Sequence, residues 1–336
     1  MTKEGLTYKK AGVDIAAGEA SVRKIREMVR TTFRPEVLEE IGLFGGFFQP
    51  DFGGFSQPVL VASTDGVGTK LKVAFQMNRH DTVGEDLVNH CVNDILTSGA
   101  QPLFFLDYLS LGKVTPEIVG ELISGFVRGC QNARCALIGG ETAEMVDLYR
   151  PGEYDVAGTI VGVVEKEKIV SGKTIQKGDV LVALPSNGLH TNGYTLARKV
   201  FFEHAGLQVD SYFSELGESV GEALLAVHKS YLAVVTELLN HFQIKGLAHI
   251  TGGGIEGNLS RILPPGRTMV IDWDSWNRPV LFRLIQDLGK VPEEDMRRTF
   301  NLGVGMIVVV GPEEAPSVVK KAQTLGENAW VLGKIA

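Results

Sequence analysis

The stretch "AHITGGGIEGNLSRIL", Ala248–Leu263, is where two readings of the fold diverge. Gly252, Gly254 and Gly257 keep the spacing G-x-G-x-x-G behind an apolar run, and Asp272 follows about twenty residues on, which is the fingerprint of a dinucleotide-binding βαβ unit. Two features oppose that reading. Pro264 and Pro265 stop the following helix within about two turns, too short to cross back over a sheet. A strand and two helices also precede the motif in its half of the chain, whereas the fingerprint normally opens its domain. The competing reading is a tight turn whose glycines serve the backbone.

Outward from this stretch, apolar periodicity alternates between strand and helix. Upstream, "PVLVAST" (58–64), "PLFFLDYLSL" (102–111), "CALIGG" (135–140) and "YDVAGTIVGVVEKE" (154–167) read as strands, with helices over 81–100 and 115–133. The charged, glycine-punctuated run Glu165 to Asp179 reads as the boundary. Behind it come strands over 180–186, 246–250, 268–273, 304–310 and 328–335. Helices are expected from Gly193, continuously through "SVGEALLAVHKSYLAVVTELLNHF" (219–242), and over 279–289 and 313–326. The expected class is α/β (α+β) in two domains, 58–168 and 169–336, after an N-terminal arm, 1–57.

Composition excludes several function classes. A net charge of -7 without a basic block gives nucleic acid no general attraction. No apolar run reaches the roughly eighteen residues that span a bilayer, and the N-terminus carries no apolar signal core. Cys91, Cys130 and Cys135 form neither a disulfide framework nor a C-x-x-C pair, which suits a reducing cytoplasm.

"SGKT" (Ser171–Thr174) resembles the tail of a Walker A loop, but Glu167 stands where its first glycine belongs and no strand leads into it. "STDGVGTK" (Ser63–Lys70) carries more chemistry. Glycine N–H groups suit phosphate oxygens, Lys70 offers a compact positive charge, and Asp65 at a strand end can hold Mg²⁺; the alternative is a polar turn. Asp86, His90 and Asp94 recur at i, i+4 and i+8 as one polar helical stripe, although Asp86 can simply favour the helix dipole and His90 can simply pack. Glu141 and Thr142 follow a glycine pair, so Asp65, Asp94 and Glu141 are candidates for a hard-oxygen metal site. In "PSNGLHTNGYTLARKV", Thr191 or Asn192 can cap a helix beside His190, forming an anion site or an ordinary turn.

Together these segments resemble the phosphoribosylformylglycinamidine cyclo-ligase, or AIR synthetase, family. The likeness runs in order through "YKKAGVDIAAGEA", "STDGVGTKLKVA", "CVNDILTSGAQPLFFLDYL", "GGETAEM", "YDVAGTIVGVVE", "PSNGLHTNGYTLAR", "AHITGGGIEGNLSRILP" and "FNLGVGM". It implies two α/β domains, the N-terminal sheet completing a barrel across a homodimer. It also implies ATP-dependent closure of formylglycinamidine ribonucleotide to aminoimidazole ribonucleotide in purine biosynthesis, with ADP and phosphate released.

By the same resemblance, Asp65, Asp94 and Glu141 hold Mg²⁺. Gly12, Val13, Asp14, Gly18, Ser63, Thr64, Gly66, Gly68, Thr69, Lys70, Gly139, Gly140 and Thr142 join Asp65 and Glu141 around ATP. Asn187, Gly188, His190, Asn192, Thr251, Gly252, Gly253 and Gly254 meet the ribonucleotide. Lys70, Asp94, His190 and His249 are the expected catalytic residues, His249 as a proton carrier or else a core histidine. The chain departs from the family pattern at Val146, where proline is expected, and at Leu302, where cysteine is common. The rivals are a related ATP-using phosphotransfer enzyme, a nicotinamide oxidoreductase built on Gly252 to Gly257, and a nucleotide-binding module without turnover. A selenophosphate synthetase is disfavoured, since no cysteine precedes Cys91.

Overall fold

The structure, a computed structural model, describes Thr7, Lys10 and residues 15 to 336. Gly12, Val13 and Asp14 lie outside the described residues; Gly18 sits inside helix α1 (Ile15–Arg30) rather than in a loop.

The first half is built on β1 (Pro58–Gly66), β2 (Gln101–Leu111), β3 (Ala136–Glu144) and β4 (Tyr154–Glu165). They form one sheet in the order β1-β4-β2-β3, with β2 and β3 parallel and the other pairs antiparallel. Side chains alternate between faces along each strand. Ser63, Asp65, Phe105, Asp107 and Ile160 therefore point to one face, where α3 (Val83–Leu96) and α4 (Pro116–Asn132) lie after the short α2 (Leu71–Met77). Phe105 and Ile160 are fully buried there, while Leu60 and Tyr108, on the opposite face, are exposed. Gly158 must be glycine, because a Cβ would stand 2.2 Å from the Phe105 ring.

The second half carries β5 (Val180–Pro185), a two-residue hairpin of β6 (Tyr212–Phe213) and β7 (Glu218–Ser219), β8 (Gly246–His249), β9 (Met269–Ile271), β10 (Val304–Val310) and β11 (Trp330–Ile335). Its five-stranded sheet runs β8-β10-β5-β11-β9, antiparallel throughout. All seven residues of β10 are buried, as a central strand covered on both faces requires. The helices are α5 (Tyr194–Arg198), α6 (Val220–Leu225), α7 (Leu232–His241), α8 (Gly254–Leu259), α9 (Val280–Gly289), α10 (Glu293–Thr299) and α11 (Ala315–Thr324).

This topology disposes of the dinucleotide reading. The strand before the glycines, β8, and the strand that leads to Asp272, β9, are opposite edges of an antiparallel sheet, so no βαβ unit exists there. The glycines serve the turn itself: Gly254 has φ +67°, and a Cβ on it would overlap the Arg297 carbonyl oxygen.

The continuous helix expected over 219–242 is also corrected. It breaks between α6 and α7, and the freed backbone groups are taken by polar side chains of the first half. Lys70 Nζ donates to Ala226 O at 2.7 Å, His228 N to Asp86 Oδ1 at 2.7 Å, and Tyr231 N to Asn93 Oδ1 at 2.9 Å. Asn89 Nδ2 reaches His228 O and Asn93 Nδ2 reaches Lys229 O. These bonds compensate the missing helical ones and direct the His228 ring into the seam between the two sheets.

Candidate active site

A cavity of about 560 Å³ opens between the halves, lined by Ser63, Thr64 and Asp65 of β1, His90 and Asp94 of α3, His249 of β8, and Thr251, Asn258 and Arg261. His90 and Asp94 of the polar stripe on α3 form its floor. His90 Nε2 lies 2.9 Å from Asp65 Oδ2 and 3.9 Å from Asp94 Oδ2, and His249 Nδ1 lies 2.9 Å from Asp94 Oδ1. Ser63 Oγ donates to Asp94 Oδ2 at 3.0 Å, and Gly66 N to Asp65 Oδ1 at 2.7 Å.

Behind this wall the imidazoles continue. His90 Nδ1 is 2.5 Å from Thr191 Oγ1, Thr191 Oγ1 is 3.3 Å from His228 Nδ1, and His228 Nε2 is 3.0 Å from His249 Nε2. His190 stacks on His228 with ring centroids 4.1 Å apart, so four of the seven histidines gather at this seam.

The charges follow from position. Burial pushes the Asp65 and Asp94 carboxyls up, but hydrogen bonds and charge from His90 and His249 respectively outweigh it and hold both below their ordinary range. His90 is raised: burial pushes it down, and Asp65 and Asp94 more than offset that. Burial lowers His249 despite Asp94, and lowers His190 and His228 strongly.

The expected residues divide. Asp65, Asp94 and His249 share the cavity wall with Ser63, Thr64 and Thr251. His190 and Asn192 lie just behind it; both ring nitrogens of His190 and Asn192 Nδ2 are buried with no hydrogen-bond partner among the described residues. Asn192 Oδ1 comes within 3.3 Å of where a Cβ on Gly252 would stand, so the "HTN" and "TGGG" turns meet. Asn187 Nδ2 binds Val227 O, and Gly188 O accepts from Asn301 Nδ2. Thr69 Oγ1 meets Thr195 Oγ1 across the seam, and Gly68, at φ +64°, opens the 3-10 turn leading to Lys70.

Two of the expected residues stand away from the cavity wall. Lys70 does not face the cavity: it is fully buried, 2.7 Å from Asp86 Oδ1, with its remaining N–H groups on Ala226 O and His190 O. Its positive charge is paired with the buried Asp86 carboxylate. Glu141 does not join Asp65 and Asp94 within the chain. β3 and β1 are opposite edges of the sheet, which at about 4.8 Å per strand places Glu141 about 14 Å from β1. The alternation also turns its side chain to the open face, in register with Tyr108, Ala157 and Gly66. Gly140 makes room for an acid: a Cβ there would collide with the Asp107 carboxylate, 2.3 Å away, whereas one on Gly139 would only touch Leu106. Thr142 pairs with Leu109 on the same strand pair.

His228 and Asp107 were not read from the sequence. His228 sits in an unbroken helical pattern, and only the contacts from α3 take it out of the helix. Asp107 is an acid inside an apolar strand, a signal that was available. Burial, with a smaller push from the Glu141 charge, raises its carboxyl to about 7.

For Mg²⁺, Asp65 and Asp94 offer the carboxylate oxygens a hard cation prefers, and two carboxylates suffice when water and phosphate complete the octahedron. The residues fit the ion without Glu141.

A mixed α/β chain in two sheet-based halves, with an acid-lined cavity at their seam, defines the AIR synthase related class. The model of its N-terminal domain matches residues 55–164 and that of its C-terminal domain matches 176–336. The fold is also that of a thiamine-monophosphate kinase from Stenotrophomonas maltophilia K279a, with TM-score 0.68, 18% identity and 93% of each chain covered. Hydrogenase maturation protein HypE in complex with ATP aligns with TM-score 0.64 and 16% identity, over 94% of this chain and 86% of that one. Within the class, the chain is 52% identical over 331 residues to phosphoribosylformylglycinamidine cyclo-ligase of Syntrophotalea carbinolica, covering 98% of this chain and 95% of the relative. It belongs to the phosphoribosylformylglycinamidine cyclo-ligase family.

Proposed function

We infer that this chain is a cyclo-ligase of purine biosynthesis: it closes formylglycinamidine ribonucleotide to aminoimidazole ribonucleotide, driven by ATP, with release of ADP and phosphate. The observation that carries this is the 52% identity, end to end, to a protein of that activity.

The chemistry has two demands. A formyl amide oxygen is a poor leaving group, so it takes the terminal phosphoryl of ATP; the amidine nitrogen then attacks that carbon, phosphate departs and one proton leaves the nitrogen. The protein must therefore orient both ends of one substrate and offset phosphoryl charge. Asp65 and Asp94 are proposed to hold Mg²⁺, which when bound neutralises phosphate charge. Asp94 also fixes the His249 ring through Nδ1, leaving His249 as the proton carrier. The unpartnered nitrogens of His190 and Asn192, with Asn187, Gly188 and the turn Thr251 to Gly254, are proposed to receive the ribonucleotide. The arm from Gly12 to Gly18 and the strand residues from Ser63 to Gly66, with Gly68, Thr69, Gly139 and Gly140, are proposed to surround ATP. Glu141 and Thr142 are assigned to the same ligand from the far edge of the sheet.

The uncovered face of the first sheet, with Leu60 60% exposed and Tyr108 39% exposed, supports a homodimer closed sheet to sheet. We place the nucleotide half at 58–168 and the ribonucleotide half at 169–336, in a cytoplasmic protein. No helix among the described residues is long and apolar enough to cross a membrane.

The test follows phosphate released from ATP with and without formylglycinamidine ribonucleotide, alongside assay of the aminoimidazole product. Release that does not depend on the ribonucleotide would leave a phosphotransfer enzyme or a binding module instead.

A further inference from the structure

Arg261 is the only lysine or arginine among the residues that line the seam cavity. It stands in the 3-10 turn Ser260–Ile262 that follows α8, three residues after Asn258 and so on the same side of the helix. Asn258 is buried and fixes the turn that leads into α8. Its Nδ2 donates to Thr251 O, Gly252 O and Gly254 O at 3.2, 3.2 and 2.8 Å, and its Oδ1 accepts from Thr251 Oγ1 at 3.0 Å. The same Oδ1 accepts from Arg261 Nη1 at 3.4 Å. Turn and guanidinium are thereby tied to one amide.

The charge of Arg261 is not offset within the chain. Among the described residues no carboxylate pairs with it, and the long bond to neutral Asn258 leaves most of its five N–H groups open. Its neighbours differ. Arg298 O accepts from Gly253 N and Arg297 O lies against Gly254, but their guanidinium groups are held by Glu294 and Glu293, each at 2.7 Å. Lys70 is engaged with Asp86, and the His90 and His249 rings are turned to Asp65 and Asp94.

A ribonucleotide brings a phosphate monoester into a cavity whose wall already carries two carboxylates, so that phosphate needs a positive group of its own. The phosphates of ATP have one in the Mg²⁺ proposed for Asp65 and Asp94. For the second phosphate, a guanidinium fork suits two oxygens at once. We propose that Arg261 is the phosphate-binding residue for the ribonucleotide, receiving its 5′-phosphate beside the Thr251–Gly254 turn while the reacting end lies toward Asp94. The identity of the ligand rests on the proposed function.

The test crosses the residue with the phosphate. Arg261→Met and Arg261→Lys are assayed on the ribonucleotide and on its dephosphorylated ribonucleoside. Arg261→Met should raise KM for the ribonucleotide about 100-fold, with kcat and KM for ATP within about threefold of the parent, as loss of uniform binding requires. Arg261→Lys keeps the charge without the fork and should recover part of that loss. On the ribonucleoside, parent and Arg261→Met should be alike, because the group that Arg261 meets is gone. Ribose 5-phosphate, titrated calorimetrically without nucleotide, should bind the parent and not Arg261→Met. Far-UV circular dichroism confirms folding, and Arg261→Gln replaces Arg261→Met if the latter does not fold. Equal losses on both substrates, or binding of ribose 5-phosphate unchanged in the variant, overturns the assignment. So does a raised KM for ATP with that for the ribonucleotide unchanged, which would give Arg261 to the nucleotide. Binding of ribose 5-phosphate that depends on Arg261, in a protein that forms no aminoimidazole product, would support the phosphate site and overturn the reaction instead.

Discussion

Lys70 Nζ lies 2.7 Å from Asp86 Oδ1, and both side chains are completely buried. The pair joins three parts of the chain, because Lys70 also holds Ala226 O and Asp86 also holds His228 N. Burial pushes the lysine down and the aspartate up, but the ammonium has an acceptor on each side and the carboxylate two donors on Oδ1. Removing one member strands a buried charge. Lys70→Met is expected to lower unfolding stability by about 3–5 kcal/mol in urea titrations. The double variant Lys70→Met/Asp86→Leu should recover part of that loss, though Ala226 O and His228 N remain unpaired at about 1–3 kcal/mol each. A single-variant loss below about 1 kcal/mol would match an exposed pair and refute this account.

The three spaced glycines make a second test. In a dinucleotide fingerprint the third glycine allows close packing of helix on strand. Here a Cβ on Gly257 meets nothing within 4 Å, and the residue lies in α8. Gly257→Ala should leave cyclisation intact and raise stability by up to about 1 kcal/mol. Gly254→Ala must displace the Arg297 carbonyl at positive φ, so it should lower the melting temperature markedly. Thermal melts of the two variants check both, and a destabilised Gly257→Ala would refute the open space around that residue.

The strands of the first half were legible because one sheet face is covered and the other open, which writes a period of two into β1 and β4. The juxtaposition of Asp65 with Asp94 was anticipated from a strand end and a mid-helix acid. The place of Glu141 was not, since strand order decides it and local pattern carries no strand order. The pairing of Lys70 with Asp86 was not anticipated, because a lysine beside glycines looks the same whether it meets a phosphate or an acid sixteen residues on. The break at Ala226–Tyr231 has no glycine or proline to announce it. Side chains of α3 impose it, and with it the position of His228.

Asp107 yields a prediction in pH. Its folded carboxyl titrates at about 7, above the usual carboxylate value, mainly through burial. A raised folded value means that the group's contribution is fully present below the unfolded pKa, near 4, and is lost as pH rises through about 7. Asp107→Asn should therefore melt higher than the parent at pH 8, with the difference fading toward pH 4. Subtracting paired melts across that range cancels the other titrating groups. A difference that does not vary with pH would mean Asp107 titrates normally.

Asp94 and His249 should act as one unit. The carboxylate holds the imidazole by its Nδ1, and Ser63 fixes the other oxygen, so loss of either partner releases the same ring. Asp94→Asn and His249→Gln are each expected to lower kcat for ribonucleotide-dependent phosphate release by about 10²–10⁴-fold. Residues that serve one function lose it once, so the double variant should be little slower than the slower single variant. Multiplicative losses would instead assign the two residues to separate steps, with Asp94 acting through bound metal and His249 through the proton.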